Sequence, residues 1–410
     1  MAKGFADNIV VSIDVGTTKI CVLVARVYGK DHIEILGVGK SPSDGLRKGV
    51  VVDIQKTIAS IKSAVKEAEL MADVTINTCA VGISGGHIQS TNSHGMIAIK
   101  QGEVTDADVA NVMNAARAFA LPEGMQILHV MPQFYVIDTR EKVQNPVGMH
   151  GIRLEVQAHV IMGAIASVQN LVKCCEMAGV KVTDIILEQL ASAQAVLSDD
   201  ERELGVAMLD IGGGTSDLAM YQNGNIRHTY VLPVAGNHFT NDVAVGLRTT
   251  LKDAERVKKE YGFACIDLME HDRVIEVQTV HGDETQLVNQ SDLIAILQPR
   301  SQELLALIHE EVIKQKLESM MTSGLVLTGG GALLPGMKEL AEEIFGVPVR
   351  VGMVKMAHDL PESLESPIYA TGYGLLKQVI KQQESALSTM EGPAVTRIFM
   401  RMKSWVIDFF

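Results

Sequence analysis

The chain has 410 residues, 47% hydrophobic and 21% charged, enough for two or more domains with their own cores. A net charge of −13 argues against non-specific nucleic-acid binding, so no nucleic-acid partner is expected. Cys21, Cys79, Cys174, Cys175 and Cys265 form no C-x-x-C pair, which predicts reduced thiols in a cytosolic protein; no leader segment or bilayer-length apolar run is present.

Residues 10–19 read Val-Val-Ser-Ile-Asp-Val-Gly-Thr-Thr-Lys. An apolar strand meets Asp14, then Gly16, Thr17, Thr18 and Lys19, and a second strand starts at once over 20–24. The spacing of Ile54, Ile58, Ile61, Val65 and Ala68 predicts a helix over 54–71, with Asp53 as its N-cap. A short buried strand follows at 79–84.

Residues 84–162 read as an inserted small α/β unit. Residues 87–93 are polar and turn-like. Thr105-Asp106-Ala107-Asp108 resembles a capping box, with aspartate in the place of glutamate, before a helix over 109–119. Two strands are expected at 126–130 and 133–138. A third, 153–162, alternates with Leu154, Val156, Ala158, Val160 and Met162 on one face and mostly polar groups on the other, as in a sheet with one wet face. A helix over 167–178 is capped by Gly179, and a strand at 185–187 leads to Glu188, which opens a helix over 190–197.

Residues 206–217 repeat the first pattern more strongly. An apolar strand runs into Asp210, then Gly212, Gly213, Gly214, Thr215, Ser216 and Asp217, and a strand resumes at 218–221. Consecutive glycines suit a turn whose backbone N–H groups must approach an anion, since no Cβ stands in the way. Asp210 facing that anion would need a cation between them, most simply Mg²⁺ holding waters. Taken alone, a tight glycine turn explains the stretch equally well. Two such hairpins far apart suggest a duplicated fold gripping one nucleotide; no helix follows either turn directly, which excludes a P-loop or dinucleotide fingerprint.

Beyond it, Asn223-Gly224 forms a turn, 226–234 a strand and 236–247 a helix. Residues 252–300 form a mixed, charged α/β unit, and Pro299-Arg300 precedes an amphipathic helix over 304–317. A third glycine cluster, Gly329, Gly330 and Gly331, follows a strand and precedes a helix from about Met337. A strand at 348–354 and a helix over 366–380, with glycines for close packing, complete the body. Residues 381–394 are polar and broken by Gly392-Pro393, a flexible linker. Over 395–410, Val395, Ile398, Phe399, Met402, Trp405, Val406, Phe409 and Phe410 share one helical face; Arg397 and Arg401 lie on the other, with Lys403 at the boundary. Such a helix docks on the body or lies in a membrane surface; its basic groups and its place after a linker favour the membrane.

The stretches 10–19, 208–217 and 326–336, in this order and separation, resemble the two phosphate motifs and the adenosine motif of the actin-like ATPase superfamily. Ala254-Glu255-Arg256-Val257-Lys258-Lys259 resembles the chaperone segment that holds ribose and adenine, although alone it is an ordinary charged helix face. The resemblance implies an α/β fold: a duplicated actin-like ATPase, two lobes around a nucleotide cleft. It implies ATP and Mg²⁺ as cofactors, with Asp14 and Asp210 on the metal's waters. Gly16, Thr17, Thr18, Lys19, Gly212, Gly213, Gly214 and Thr215 would meet phosphates, Glu255 and Lys258 the ribose or base, and Gly329, Gly330 and Gly331 would lie beneath the adenosine. Glu188 matches an acid that several bacterial actins place near the attacking water; it equally fits an acid on a helix N-terminus.

With the insertion at 84–162 and the tail, the whole chain resembles the FtsA family of bacterial cell-division actins. Gly82-Ile83-Ser84-Gly85 with His87-Ile88, Leu128-His129-Val130 and Asn145-Pro146-Val147-Gly148-Met149 carry that likeness. It implies a weak ATPase at most, an adaptor that self-associates into filaments. The adaptor would bind the FtsZ C-terminal tail and tether it to the cytoplasmic side of the inner membrane at the septum. It would meet other division proteins through the inserted unit. Arg300 resembles a basic position that meets the acidic FtsZ tail. The expected division is lobe 1 at 1–83 with about 163–190 and 350–380, the insertion at 84–162, and lobe 2 at 191–226 with about 301–349. Residues 227–300 make the outer subdomain of lobe 2. Alternatives are a PilM-like pilus-assembly homologue, which should lack the C-terminal segment, a metabolic kinase of the superfamily, for which no sugar-binding acid is found, and the shorter rod-shape actin MreB.

Overall fold

The computed structural model describes residues 8–28, 32–138, 141–280, 284–354 and 364–390. Two five-stranded sheets have the same topology. In the first, Asn8–Val15, Lys19–Tyr28 and His32–Pro42 form an antiparallel meander, and Thr78–Ile83 then Lys181–Leu187 add in parallel to the free side of Asn8–Val15. In the second, Val206–Ile211, Ser216–Gln222 and Asn225–Leu232 form the meander, with Leu325–Thr328 and Val349–Val351 parallel beyond it. This is the duplication that the two hairpin motifs implied.

The pleat decides which core each residue joins. Val206 and Met208 face the core shared with the first lobe, while Ala207, Leu209 and Ile211 face the second lobe's own core, and all five are fully buried. Between the sheets run helices Glu188–Val196 and Ala370–Met390. Gly374 lets them touch, because a Cβ there would come within 1.8 Å of the Ala191 carbonyl oxygen. The expected N-caps hold: Asp53 accepts from the Lys56 amide at 3.1 Å in front of Ile54–Ala72. Thr105 and Asp108 form a full capping box, although the helix starts earlier than expected, at Asp106. Cys21, Cys79, Cys174 and Cys175 are buried free thiols, and Cys265 is a partly exposed one.

Five expectations need correction. Residues 87–93 are a turn only at their start: Gln89–Ala98 is an edge strand of the inserted sheet, and its polar side chains face solvent or bond the second lobe or the inserted unit itself. The strands expected at 126–130 and 133–138 are one, Met125–Ile137. Pro132, which lacks an N–H for the ladder, lies at a register shift beside Ala158, where the ladder is already interrupted. The second face of Arg153–Ala164 is not wet throughout, because His159 and Ile161 are buried. The second lobe helps cover it, with His159 Nε2 2.9 Å from the Thr229 hydroxyl.

The helix expected from residue 304 begins at Gln290, where the Asp292 carboxylate accepts from the Asn289 amide at 3.3 Å, and runs through Pro299 to Lys314. An interior proline costs about 3 kcal/mol. Complete burial of Leu293, Ile294 and Leu297 upstream offsets that at about 1.5–3 kcal/mol each, and the expected boundary at residue 300 falls inside the helix. Finally, Ala370–Met390 continues as helix into the segment read as a linker from 381. The rest of that segment and the amphipathic stretch 395–410 lie outside the described residues.

Candidate functional site

The first hairpin closes with Val15 opposite Ile20, leaving residues 16–19 as its turn. The second closes with Ile211 opposite Ser216, leaving 212–215. The two turns face each other and touch: a Cβ on Gly213 would come within 2.3 Å of Thr18 Cγ2, and one on Gly214 within 2.3 Å of the Thr17 hydroxyl. The second turn is pinned from behind, since the Gly236 and Asn237 amides, at the start of helix Gly236–Gly246, donate to the Gly212 and Gly213 carbonyls at 3.0 and 2.8 Å. The third glycine cluster follows Leu325–Thr328, paired in parallel with Val206–Ile211. Gly329, at φ +80°, lies so close to the second hairpin that a Cβ would meet Asp210 Oδ1 at 2.2 Å.

A cleft of about 560 Å³ lies between these elements, within the usual range for a small-ligand site. Every residue expected to meet a nucleotide lines it: Asp14, Gly16, Thr17, Thr18, Lys19, Asp210, Gly212, Gly213, Gly214, Thr215, Glu255, Lys258, Gly329, Gly330 and Gly331, together with Glu188. Glycine amides and threonine hydroxyls crowd one part, and Leu333, Leu334, Pro335 and Met337 give an apolar wall.

Four acids share the polar part. Burial pushes the Asp14 carboxyl up to about 6, with Lys19 opposing the rise and Asp210 adding to it. Burial also raises Asp210, against hydrogen bonds from the Ser192 hydroxyl at 2.6 Å and the Thr371 hydroxyl at 3.2 Å. Asp217 rises to about 7, mainly through burial and partly through Asp210, although the Ser84 hydroxyl donates to it at 2.5 Å and the Thr215 hydroxyl at 2.9 Å. Glu188 is held well above the usual carboxylate range by burial and by Asp14, Asp217 and Asp210. Lys19 opposes the rise at Asp14 and Asp210, with its Nζ bonded to the Ile368 carbonyl at 2.6 Å and stacked over Tyr369. Such a set fits an added cation. Among the described residues no three His, Cys, Asp or Glu side chains form a direct metal cage. Mg²⁺ suits such a site, being held by one or two carboxylates, phosphate oxygens and waters.

On the apolar side, Lys258 Nζ meets Glu255 Oε2 at 2.5 Å, the Thr240 hydroxyl at 2.8 Å and the Gly236 carbonyl at 3.2 Å. Burial disfavours the charged Glu255, yet Lys258 and the Thr240 hydroxyl outweigh it and hold the carboxyl below its usual range. Burial in turn lowers the Lys258 amine, against the pull of Glu255, and these bonds fix the pair at the cleft wall.

Arg300 does not join this site. It lies in helix Gln290–Lys314 and forks onto Asp242 at 2.5 and 3.2 Å, with Glu303 as a second partner. Sequence reasoning passed over Asp217, although it stands in the glycine stretch and pairs in register with Asp210. Ser84, Ser192 and Thr371, which bond the acids from remote segments, carry no local signal.

Two family models match the chain. "Cell division protein FtsA" covers residues 207–374, and "SHS2 domain inserted in FTSA" covers 85–162. Cell division protein FtsA of Pseudomonas aeruginosa is 42% identical over 413 residues, covering 99% of this chain and 99% of that one. The protein of the same name from Neisseria meningitidis is 41% identical, covering 97% and 98%. Among solved structures, a PilM-PilN type IV pilus biogenesis complex superposes with a TM-score of 0.64 at 16% identity, covering 90% of this chain and 98% of that one. MreB5 of Spiroplasma citri bound to ADP gives 0.57 at 17% identity, covering 92% and 98%. At these identities the structural likeness carries the fold alone. That fold is actin-like: two duplicated lobes around a cleft, with an inserted α/β unit.

Proposed function

The chain belongs to the FtsA family of cell division proteins, and from that premise we propose that it binds ATP with Mg²⁺ in the cleft and assembles in that state. In that form it anchors FtsZ to the cytoplasmic face of the inner membrane. The observation that carries this reading is the convergence of two remote hairpin turns, the glycine cluster at 329–331 and the acids Asp14 and Asp210 on one cleft. The pilus and rod-shape alternatives are similar in fold at 16–17% identity, against 42% for the division protein.

Each residue has a role in the proposal. The turn amides of Gly16, Gly212, Gly213 and Gly214, with the Thr17, Thr18 and Thr215 hydroxyls and Lys19, cradle the phosphates. Glu255 and Lys258 bond the ribose or base, and Gly329, Gly330 and Gly331 admit the adenosine against Leu334 and Met337. Asp14 and Asp210 would hold Mg²⁺ through waters, and the ion would supply the positive charge that the buried acids and the phosphates need. Turnover is slow. The attacking water's oxygen bonds to the terminal phosphorus, the bond to the departing diphosphate's bridging oxygen breaks, and the water's proton passes to Glu188.

No helix among the described residues is long and apolar enough to cross a membrane. Attachment is therefore assigned to the amphipathic segment, through Ile398, Phe399, Met402, Trp405, Val406, Phe409 and Phe410, with Arg397, Arg401 and Lys403 toward anionic headgroups. The inserted unit receives other division proteins, and Arg300 meets the acidic FtsZ tail by exchanging its present acidic partners for those of the tail. Sedimentation with anionic liposomes tests the whole reading. With ATP present, the protein should bring FtsZ down with the vesicles; FtsZ left in the supernatant contradicts it.

A further inference from the structure

A second, much smaller cavity lies behind the cleft. Its volume is about 10 Å³, the space of a single water. Glu188 and Gly49 belong to the walls of both cavities. The other polar side chains around it are Ser84, His87 and Ser167.

His87 is the unexplained group. Both of its ring nitrogens are buried and neither has a hydrogen-bond partner. Buried polar atoms in native proteins are rarely left so, and a polar cavity beside them is where an ordered water sits. Burial also lowers the pKa of the imidazole, so the ring is neutral and one nitrogen can accept a hydrogen bond.

The backbone is shaped to seat both side chains. A Cβ on Gly82 would stand 3.0 Å from Glu188 Cγ and 3.4 Å from its Oε1, so the Glu188 side chain lies against a bare backbone. A Cβ on Gly85 would stand 2.7 Å from His87 Nδ1, and Gly85 has φ +139°, a conformation open to glycine alone. Between the two glycines, Ser84 bonds Asp217. One short segment thus reaches two of the four cleft acids.

We propose that one buried water joins His87 to Glu188, and that His87 is thereby a positioning residue for ATP hydrolysis, holding the Glu188 carboxyl toward the cleft. The proposal rests on the reading of the cleft as an ATP site with Glu188 as its base.

The test uses the full chain as parent, His87→Ala and His87→Gln. Mg-ATP affinity is read by calorimetry, and cleavage by single turnover with protein in excess. His87→Ala should keep the affinity within about two-fold and cleave about 10- to 100-fold more slowly, the pattern of a misplaced catalytic group. His87→Gln can bond the same water and should recover most of the rate. Parental cleavage by His87→Ala overturns the proposal, and so does loss of ATP affinity in both variants, the mark of a merely structural residue. A crystal structure of the full chain checks the water without turnover. Density within hydrogen-bond distance of a His87 ring nitrogen and the Glu188 carboxyl supports the proposal, and an empty cavity overturns it. A parent that binds ATP and never cleaves it removes the role of Glu188 itself, and that of His87 with it. Failure of the His87 proposal alone leaves parental cleavage intact.

Discussion

Replacing Asp217 by Asn should make the nucleotide-free protein more stable, by a margin that grows as the pH rises from about 4 to about 7. Asp217 is 3% exposed and shares its surroundings with Asp210, and its carboxyl holds its proton up to about pH 7 against an ordinary value of 3.8. The sign follows from linkage. Between those values the unfolded chain releases the proton and the folded chain keeps it, so parental stability falls as pH rises. The fall is complete above about pH 7 and is at most about 4 kcal/mol, because Asp210 titrates in the same field. Asn carries no charge and can still accept from the Ser84 hydroxyl, so the variant lacks this fall. Urea denaturation followed by circular dichroism, without nucleotide or divalent ions, reads the difference. The variant's advantage should be small near pH 4, grow steadily to about pH 7 and level off above it. A difference independent of pH, or a variant less stable than the parent at pH 8, refutes the electrostatic account of the acid cluster.

Two further outcomes are expected. Glu188→Ala should bind Mg-ATP at least as well as the parent, because a buried acid is removed from the phosphate side, while single-turnover cleavage falls by about 100-fold, the scale of a lost general base; an unchanged rate removes Glu188 from the mechanism. Trp405→Glu should release the protein from anionic liposomes. Each basic group of the tail contributes only about 1 kcal/mol there, so membrane residence should also depend on assembly through avidity; an assembly-deficient variant with an intact tail that binds as well as the parent contradicts this.

Much of the site could be read from the sequence, because both hairpins break a buried strand with an acid and glycines, a pattern that neither strand nor helix propensity explains. The duplication followed from seeing that pattern twice. Asp53 and Thr105 were readable as caps because their partners lie three residues away. What escaped depends on remote partners. Pro299 reads as a helix boundary until the burial of Leu293, Ile294 and Leu297 is seen to outweigh its cost. Pro132 splits a strand on paper, yet in the sheet it lies where the register already shifts. Part of the face expected to be wet is covered, at His159, by a strand of the other lobe. Ser192 and Thr371 reach Asp210 from different segments, and no local spacing marks them.

The most direct test of the central claim is calorimetric titration of Mg-ATP into the full chain and its Gly213→Val variant. In the parent, Gly213 lies at the closest approach of the two hairpin turns, where a Cβ would come within 2.3 Å of Thr18. Valine there would push the turns apart and cover the amides assigned to the phosphates. The account predicts one molar equivalent of ATP bound by the parent and no measurable binding by the variant, with the variant's fold confirmed by circular dichroism. Equal binding by a folded Gly213→Val would place the nucleotide elsewhere and contradict the account.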